Sequence, residues 1–318
     1  MKLSIEQIKE ITVGAVEIWE EQDGLHFGKC TKAQVLAWKE AEAGLVNNAI
    51  PTTGVRLDFH TDSDFVKISL GSIGKYEVEI DGVFKEQFNL PPGIEKKEIT
   101  LDLGTNGKET HVVFTLPSHL NAGIIVGVEI ADSAYVKPHT FDRKILFVGD
   151  SITQGYNSTY DLCSYAYQIS EYLNADSVIQ GIGGAFFAPK TVLPTGYKPD
   201  IVFIAYGTND FMRLKTLDEL KKNASEYILK LQALYEGAKF FVISPVWRMD
   251  EKQPREMGTF KACCDCIKNL ARELKAEVID GDQLLPQFPT FMADTIHPNN
   301  LGFAAYALNL LKQLQGRI

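Results

Sequence analysis

Four short stretches of this 318-residue chain carry the residue types that nucleophilic acyl transfer needs. They are a serine in Gly149-Asp150-Ser151-Ile152-Thr153, glycines in Gln180-Gly181-Ile182-Gly183-Gly184, an amide in Tyr206-Gly207-Thr208-Asn209-Asp210, and a carboxylate three residues before an imidazole in Asp294-Thr295-Ile296-His297-Pro298. A serine hydroxyl is a weak nucleophile until a base takes its proton. Three residues apart on a turn, Asp294 and His297 can lie side by side, the carboxylate fixing the tautomer while the other ring nitrogen faces Ser151. Pro298 biases His297 away from helical dihedrals and keeps it at the rim. The oxyanion of the tetrahedral intermediate needs preorganised donors, each worth about 3–4 kcal/mol. The Ser151 amide, a glycine N–H unobstructed by a side chain, and the Asn209 side-chain amide offer them. Each stretch also has a plainer use: Ser151 or Asp294 as a helix cap, the glycines as tight turns, Asn209 bonded to its own turn. Four such coincidences together are hard to sustain.

The elements that must position these groups follow from the hydrophobic pattern. From residue 144 onward, short apolar runs (Ile145–Val148, Ser177–Ile179, Ile201–Ala205, Phe240–Ile243, Val278–Ile279) alternate with segments of helical period, Leu217–Tyr235, Phe260–Leu274 and Leu301–Leu314. That alternation predicts a parallel α/β sheet covered on both faces. In open α/β sheets reactive groups gather beyond the carboxyl ends of the strands, where the serine, glycine and asparagine stretches fall. Between Pro51 and Ala131 the apolar residues instead alternate singly, as in Val55, Leu57, Phe59 and in Tyr76, Val78, Ile80. Asp81-Gly82 reads as a two-residue hairpin, and Pro91-Pro92-Gly93 and Gly104-Thr105-Asn106-Gly107 as further turns. Six or so short strands of this kind predict a β-sandwich over residues 1–140, ahead of an α/β domain over 141–318.

In order and position the four stretches resemble the SGNH hydrolases, also called the GDSL esterase and lipase family, over about residues 144–316. The resemblance implies a flavodoxin-like parallel sheet and gives each motif a role. Ser151 is then the nucleophile, Gly184 and Asn209 join the Ser151 amide as oxyanion donors, His297 is the base, and Asp294 orients it. Two departures stand out. Gln180 stands where the family often has Asn, which leaves Gly181 or Gly183 as substitutes for Gly184, and Ile152 stands where the name-giving motif has Leu. A β-rich domain ahead of such a hydrolase also resembles the layout of carbohydrate esterase family 2, in which a jelly-roll-like sandwich precedes the SGNH domain and the substrates are O-acetylated sugars. Some members there lack the triad Asp, so the likeness is to a complete triad.

The substrate is read from the loops. Trp247 and Arg248 follow the fourth apolar run and are expected at the catalytic edge as substrate contacts, with Tyr156, Phe211 and Arg213 lining the same cleft or packing against neighbouring loops. Compact spacing between the blocks and the lack of an apolar lid-like insertion favour a short acyl group. The expected reaction is two-step ester hydrolysis through an acyl-enzyme, needing no metal or organic cofactor, with a small-molecule or oligosaccharide ester as substrate. A lysophospholipase or thioesterase, and a non-catalytic glycan-binding protein, stay open beside it. The chain is net acidic, with 13 basic against 21 acidic residues in 1–140 and 19 against 20 in 141–318. Such a balance is poorly suited to nucleic acid or an anionic membrane. No stretch has the length of a membrane span or the core of a signal peptide, which reads as cytoplasmic. The five cysteines are an odd number at spacings that suggest neither a disulfide framework nor a zinc site, and they receive no role. The first domain fits a wall of the active site, separate sugar binding, or dimerisation into a homo-oligomer.

Overall fold

The computed structural model describes residues 1–93, 98–104, 107–119 and 121–318. The chain forms two compact units, Met1–Thr31 with Ile50–Phe141, and Lys32–Ala49 with Asp142–Ile318.

The first unit opens with helix α1 (Ile5–Glu10), started by a capping box between Ser4 and Gln7. Its strands are β1 (Thr12–Val13), β2 (Glu17–Glu21), β3 (Gly24–Gly28), β4 (Arg56–Thr61), β5 (Phe65–Leu70), β6 (Gly74–Ile80), β7 (Val83–Leu90), β8 (Glu98–Asp102), β9 (Thr110–Thr115), β10 (Ile124–Ile130) and β11 (Val136–Pro138). One sheet runs β1-β4-β9-β6-β7 with β11 added on β4, and the other runs β2-β3-β10-β5-β8. Alternate residues of the first sheet (Leu57, Phe59, Val78, Phe114) share one buried cluster with those of the second (Ile68, Leu101, Ile125, Val128), so the period-two pattern makes the predicted sandwich. Seven of these strands, β4 to β10, fall between Pro51 and Ala131, where six or so were read, and β1, β2, β3 and β11 lie outside that stretch. At the β6–β7 hairpin both Asp81 (φ 53°) and Gly82 (φ 71°) are left-handed, as a type I′ turn requires. The turn expected at 104–107 includes Thr105 and Asn106, which lie outside the described residues.

The second unit begins with α2 (Lys32–Ala41) and α3 (Val46–Ala49). The expected division at 140/141 put this segment in the first domain. Gln34 and Trp38 of α2 instead line one small cavity with Leu146, Val148, Gln180 and Leu231, so the buried face of the helix belongs to the α/β core. Parallel strands β12 (Arg143–Gly149), β13 (Ala175–Gly181), β14 (Ile201–Ala205), β15 (Lys239–Ile243) and β16 (Glu277–Ile279) follow the apolar runs. Their spatial order, β13-β12-β14-β15-β16, is the flavodoxin-like one. The order reverses at β12, and the crevice of such a sheet opens beyond the ends of β12 and β14. Phe147, Phe203 and Phe241 stack across neighbouring strands, with centroids 5.0 and 5.2 Å apart. Around the sheet lie α4 (Ser151–Gln154), α5 (Tyr165–Tyr172), α6 (Thr208–Arg213), α7 (Leu217–Leu234), α8 (Phe260–Glu273) and α9 (Asn300–Leu314). Thr216 and Glu219 box the start of α7, Thr259 caps α8, and Asn299 caps α9. Cys263 and Cys264 of α8 are buried free thiols, and burial pushes the Cys264 thiol up to about 12. Among the described residues no helix is long and apolar enough to cross a membrane.

Candidate active site

Ser151 is the first residue of α4, directly after β12. The strand-to-helix change is abrupt because Gly149 has no side chain: a Cβ there would lie 2.0 Å from Thr153 Oγ1. Asp150 caps the turn by accepting the Ile152 amide at 2.9 Å, so Asp150, not Ser151, is the helix cap. Gly155 in the left-handed conformation ends α4 after four residues. Ser151 is thereby held with its backbone packed, 9% of its surface exposed, and its Oγ turned to the second half of the site.

That half is the loop before α9. Asp294 Oδ1 accepts the backbone amides of Ile296 and His297, each at 2.8 Å, which folds the loop around the carboxylate. Asp294 Oδ2 is 2.8 Å from His297 Nδ1, and His297 Nε2 is 2.8 Å from Ser151 Oγ. With Nδ1–H donated to the carboxylate, Nε2 keeps its lone pair for the serine proton. Burial raises the Asp294 carboxyl, but bonds from the His297 and Ile296 amides and from the imidazole outweigh it, holding the group below the usual carboxylate range. The His297 imidazole is therefore oriented by a charged partner. His297 precedes Pro298 and lies outside α9, as the sequence predicts, and Asn299 rather than Asp294 caps that helix.

The donor side comes from the ends of β13 and β14. Gly183 N–H donates to Gln154 Oε1 at 2.8 Å, Ile182 N–H to Gly149 O, and Ala185 N–H to Ile182 O. Gly184, with φ 81°, has an amide that meets no acceptor among the described residues, and the same holds for the Ser151 amide. Of the glycines left open by the sequence, Gly184 is thus the one with an amide to offer a ligand. Asn209 spends one amide hydrogen on Ala185 O at 2.8 Å, which fixes the side chain and leaves its second hydrogen. Gln180, where the family often has Asn, pairs its side-chain amide with that of Gln34 on α2 and is buried away from this chemistry.

Asn157 and Asn48 had no signal in the sequence reading, whereas Arg213 was expected to line the cleft and is found on the glycine loop. Asn157, at φ 70°, donates Nδ2–H to Asp294 Oδ2 at 2.8 Å. Asn48 from α3 donates to Gly183 O at 2.9 Å, and Arg213 donates to Gly184 O while pairing with Glu42. Gly183 is bonded through both its N–H and its C=O, and the carbonyl of Gly184 is held as well, which fixes the plane of the donor amide.

The expected substrate contacts divide. Tyr156 is 46% exposed, and its ring centroid lies 4.8 Å from that of His297. Trp247 is a correction: it is 8% exposed and packs in the core cluster with Val246, Leu285 and Met292, so it has no open face for a ligand. Arg248 is another. It is 1% exposed, forms a two-pronged pair with Asp250, donates to Thr208 O, and lies 5.6 Å over the rings of Phe211 and Phe260. Phe211 is itself fully buried, and Arg213 serves the Gly184 loop. Burial raises Asp150, the residue before Ser151, and Asp210 each to about 7.

The profile of the GDSL-like lipase/acylhydrolase family matches residues 147–305. Comparison with curated protein sequences finds no match. Among solved structures, a salicylyl-acyltransferase from a tetracycline biosynthetic pathway superposes with a TM-score of 0.79 at 17% identity, covering 96% of this chain and 94% of its own. A carbohydrate esterase family 2 enzyme with a carbohydrate-binding domain from Corynascus thermopiles (Myceliophthora fergusii) gives 0.70 at 19% identity over 92% and 98% of the two chains. A family 2 carbohydrate esterase from Cellvibrio japonicus gives 0.68 at 17% over 96% and 94%. At these identities the likeness is one of fold, and it spans both units.

Proposed function

The chain belongs to the GDSL-like lipase/acylhydrolase family and is a carboxylic ester hydrolase, and from that premise we propose that it removes O-acetyl groups from carbohydrates through Ser151, His297 and Asp294. The observation that carries the reading is the unbroken relay from Asp294 Oδ2 through His297 to Ser151 Oγ, with both links at 2.8 Å.

As Ser151 Oγ attacks the ester carbonyl, its proton passes to His297 Nε2, and the imidazolium is balanced by the Asp294 carboxylate. The carbonyl oxygen, now an oxyanion, accepts bonds from the Ser151 and Gly184 amides and from Asn209 Nδ2. Collapse breaks the bond to the sugar oxygen, which leaves with the proton from His297. Water then attacks the acyl-serine, losing its proton to His297, and acetate and free Ser151 result. The leaving alcohol must come within reach of His297. Tyr156 offers an exposed ring at that place, and sugars stack their C–H faces on such rings. The similarity in fold to the family 2 carbohydrate esterases agrees with this choice of leaving group.

Hydrolysis of p-nitrophenyl acetate, butyrate and octanoate by the wild type and by Ser151→Ala tests the reading. Turnover that falls from acetyl to octanoyl and disappears in the variant is expected. Tyr156→Ala should raise KM for an acetylated xylo-oligosaccharide by about tenfold, the worth of one lost stacking contact, while sparing p-nitrophenyl acetate. Preference for octanoate would move the substrate to lysophospholipids or thioesters, and glycan affinity without turnover would make the protein a binder.

A further inference from the structure

Three of the six histidines of the chain meet in the first unit, and none of them is among the residues just described. His60 on β4 stands directly across from His111 on β9, and His139 follows the end of β11, the strand that pairs with β4 on its other side. One ring nitrogen from each lies within 4.8 Å of the other two, and all three side chains are half-buried. The rings stack nearly parallel with centroids 4.5 to 5.2 Å apart. His60 Nε2 and His139 Nδ1 are 2.9 Å apart, so one carries a proton that points at the lone pair of the other.

We propose that His60, His111 and His139 form a binding site for a divalent transition-metal ion, with zinc its expected occupant. Neutral imidazole nitrogens suit zinc, copper or nickel and do not suit calcium or magnesium, which take oxygen ligands. His111 donates Nε2–H to Asp58 Oδ1 at 2.7 Å, so its ligand atom is Nδ1. Glu109 Oε1 lies 3.7 Å from His60 Nδ1, so the ligand from His60 is Nε2, the atom that already faces His139. A carboxylate behind the outer nitrogen of a ligating histidine fixes ring and tautomer at metal sites, and two of the three histidines have one here.

Replacing the shared proton by zinc at Zn–N distances of about 2.0–2.1 Å widens a nitrogen pair to about 3.3 Å, a few tenths more than the present 2.9 Å. The three rings, now within 12 to 19° of parallel, must also turn so that their lone pairs converge on the ion. The displaced ring proton is regained at the other nitrogen of the same ring, so neutral imidazoles bind the ion without net proton release. Asp58 is paired with Arg56, and Lys137 lies 3.9 Å from Glu109, so the surroundings carry two carboxylates and two cations. Three ligands from β4, β9 and the end of β11 would pin the three-residue strand β11 to its sheet, and water or chloride would complete a tetrahedral shell.

The test uses the whole protein, stripped with EDTA, dialysed, and titrated with zinc chloride against a chromophoric chelator, with bound metal counted by mass spectrometry. One equivalent per chain and a higher melting temperature are expected. His60→Gln combined with His139→Gln should weaken binding by about 100-fold while leaving p-nitrophenyl acetate hydrolysis unchanged. His26→Gln, which alters the other group of possible ligands at Glu21 and Asp23, should leave the titration unchanged. Should the double variant not fold, His139→Gln alone serves, since His139 lies beyond β11, and about tenfold weaker binding is expected. Absence of stoichiometric zinc, wild-type affinity in the His139 variants, or loss of binding in His26→Gln would overturn the proposal.

Discussion

Asp294 holds His297 at two points, taking its backbone amide on Oδ1 and its ring Nδ1 on Oδ2, each at 2.8 Å. One carboxylate therefore sets both where the loop runs and which ring nitrogen keeps a lone pair. Asp294→Asn can keep the Oδ1 bonds but presents an amide to Nδ1, which favours the tautomer with its proton facing Ser151. A fall in kcat of about 10²–10⁴-fold with KM changed little is expected for p-nitrophenyl acetate. Asp294→Ala loses the loop bonds as well and should also melt at a lower temperature. The folded carboxyl lies below its ordinary value of 3.8, so this group's stabilisation is present above that pH and is lost as pH falls through the depressed value.

Asn48 donates to Gly183 O at 2.9 Å and so braces the peptide before the Gly184 amide. Asn48→Ala should lower kcat by about tenfold, within the worth of one misaligned oxyanion donor, and leave KM for acetyl esters nearly constant. A larger change in KM than in kcat would mean that Asn48 contacts substrate instead. Gly184→Ala is more severe: φ is 81°, and the new Cβ would stand 3.2 Å from a Leu45 methyl. It should cost about 1–3 kcal/mol of stability, read from denaturant unfolding, together with most of the activity.

The candidate groups were legible in the sequence where reactive residue types follow an apolar run within a few positions. Ser151 after Ile145–Val148 and Asn209 after Ile201–Ala205 stand at strand ends that hydrophobicity alone marks, and Asp294 and His297 are neighbours on one turn. What escaped depends on pairings between distant segments. Asn48 reaches Gly183 across 135 residues, and nothing in Val46–Ala49 distinguishes an asparagine with that bond from a solvated one. The second unit's claim on α2 was hidden for the same reason, since Gln34 and Trp38 look like any amphipathic helix until β13 is beside them. His60 and His111 are cross-strand partners only because of the β4–β9 register, which no local pattern announces. Arg248 shows the opposite error. Its position after a strand was read correctly, while its direction, inward between Phe211 and Phe260, is set by packing.

Because Arg248 is buried and paired with Asp250, its removal should act on folding and not on substrate affinity. Arg248→Ala leaves Asp250 with Arg255 as its remaining cation and opens space between two aromatic rings. A loss of about 3–5 kcal/mol is expected in urea unfolding, with KM for p-nitrophenyl acetate unchanged in whatever fraction stays folded. Arg248→Lys keeps the charge but not the planar fork and should fall between the two. A stable Arg248→Ala protein with a raised KM would return Arg248 to the substrate site.

Asp210 offers a test of pH dependence with a defined sign. Its Oδ1 accepts the Phe187 amide at 3.1 Å, while Oδ2 is buried without a hydrogen-bond partner among the described residues. Burial raises the folded group to about 7 from an ordinary 3.8. The folded state thus holds a proton that the unfolded chain releases, so stability from this group is complete below about pH 4 and declines as pH rises to about 7. Asp150 is raised to the same range and repels Asp210, so the two titrate as a pair. Asp210→Asn removes one member without touching the residue beside Ser151. It should raise the melting temperature more at pH 8 than at pH 5 and flatten the wild-type decline between them. If the variant instead melted below the wild type at pH 8, the Asp210 carboxylate would be a favourable charge in the fold, compensated by the buried Arg248, and the direction assigned to its titration would be reversed.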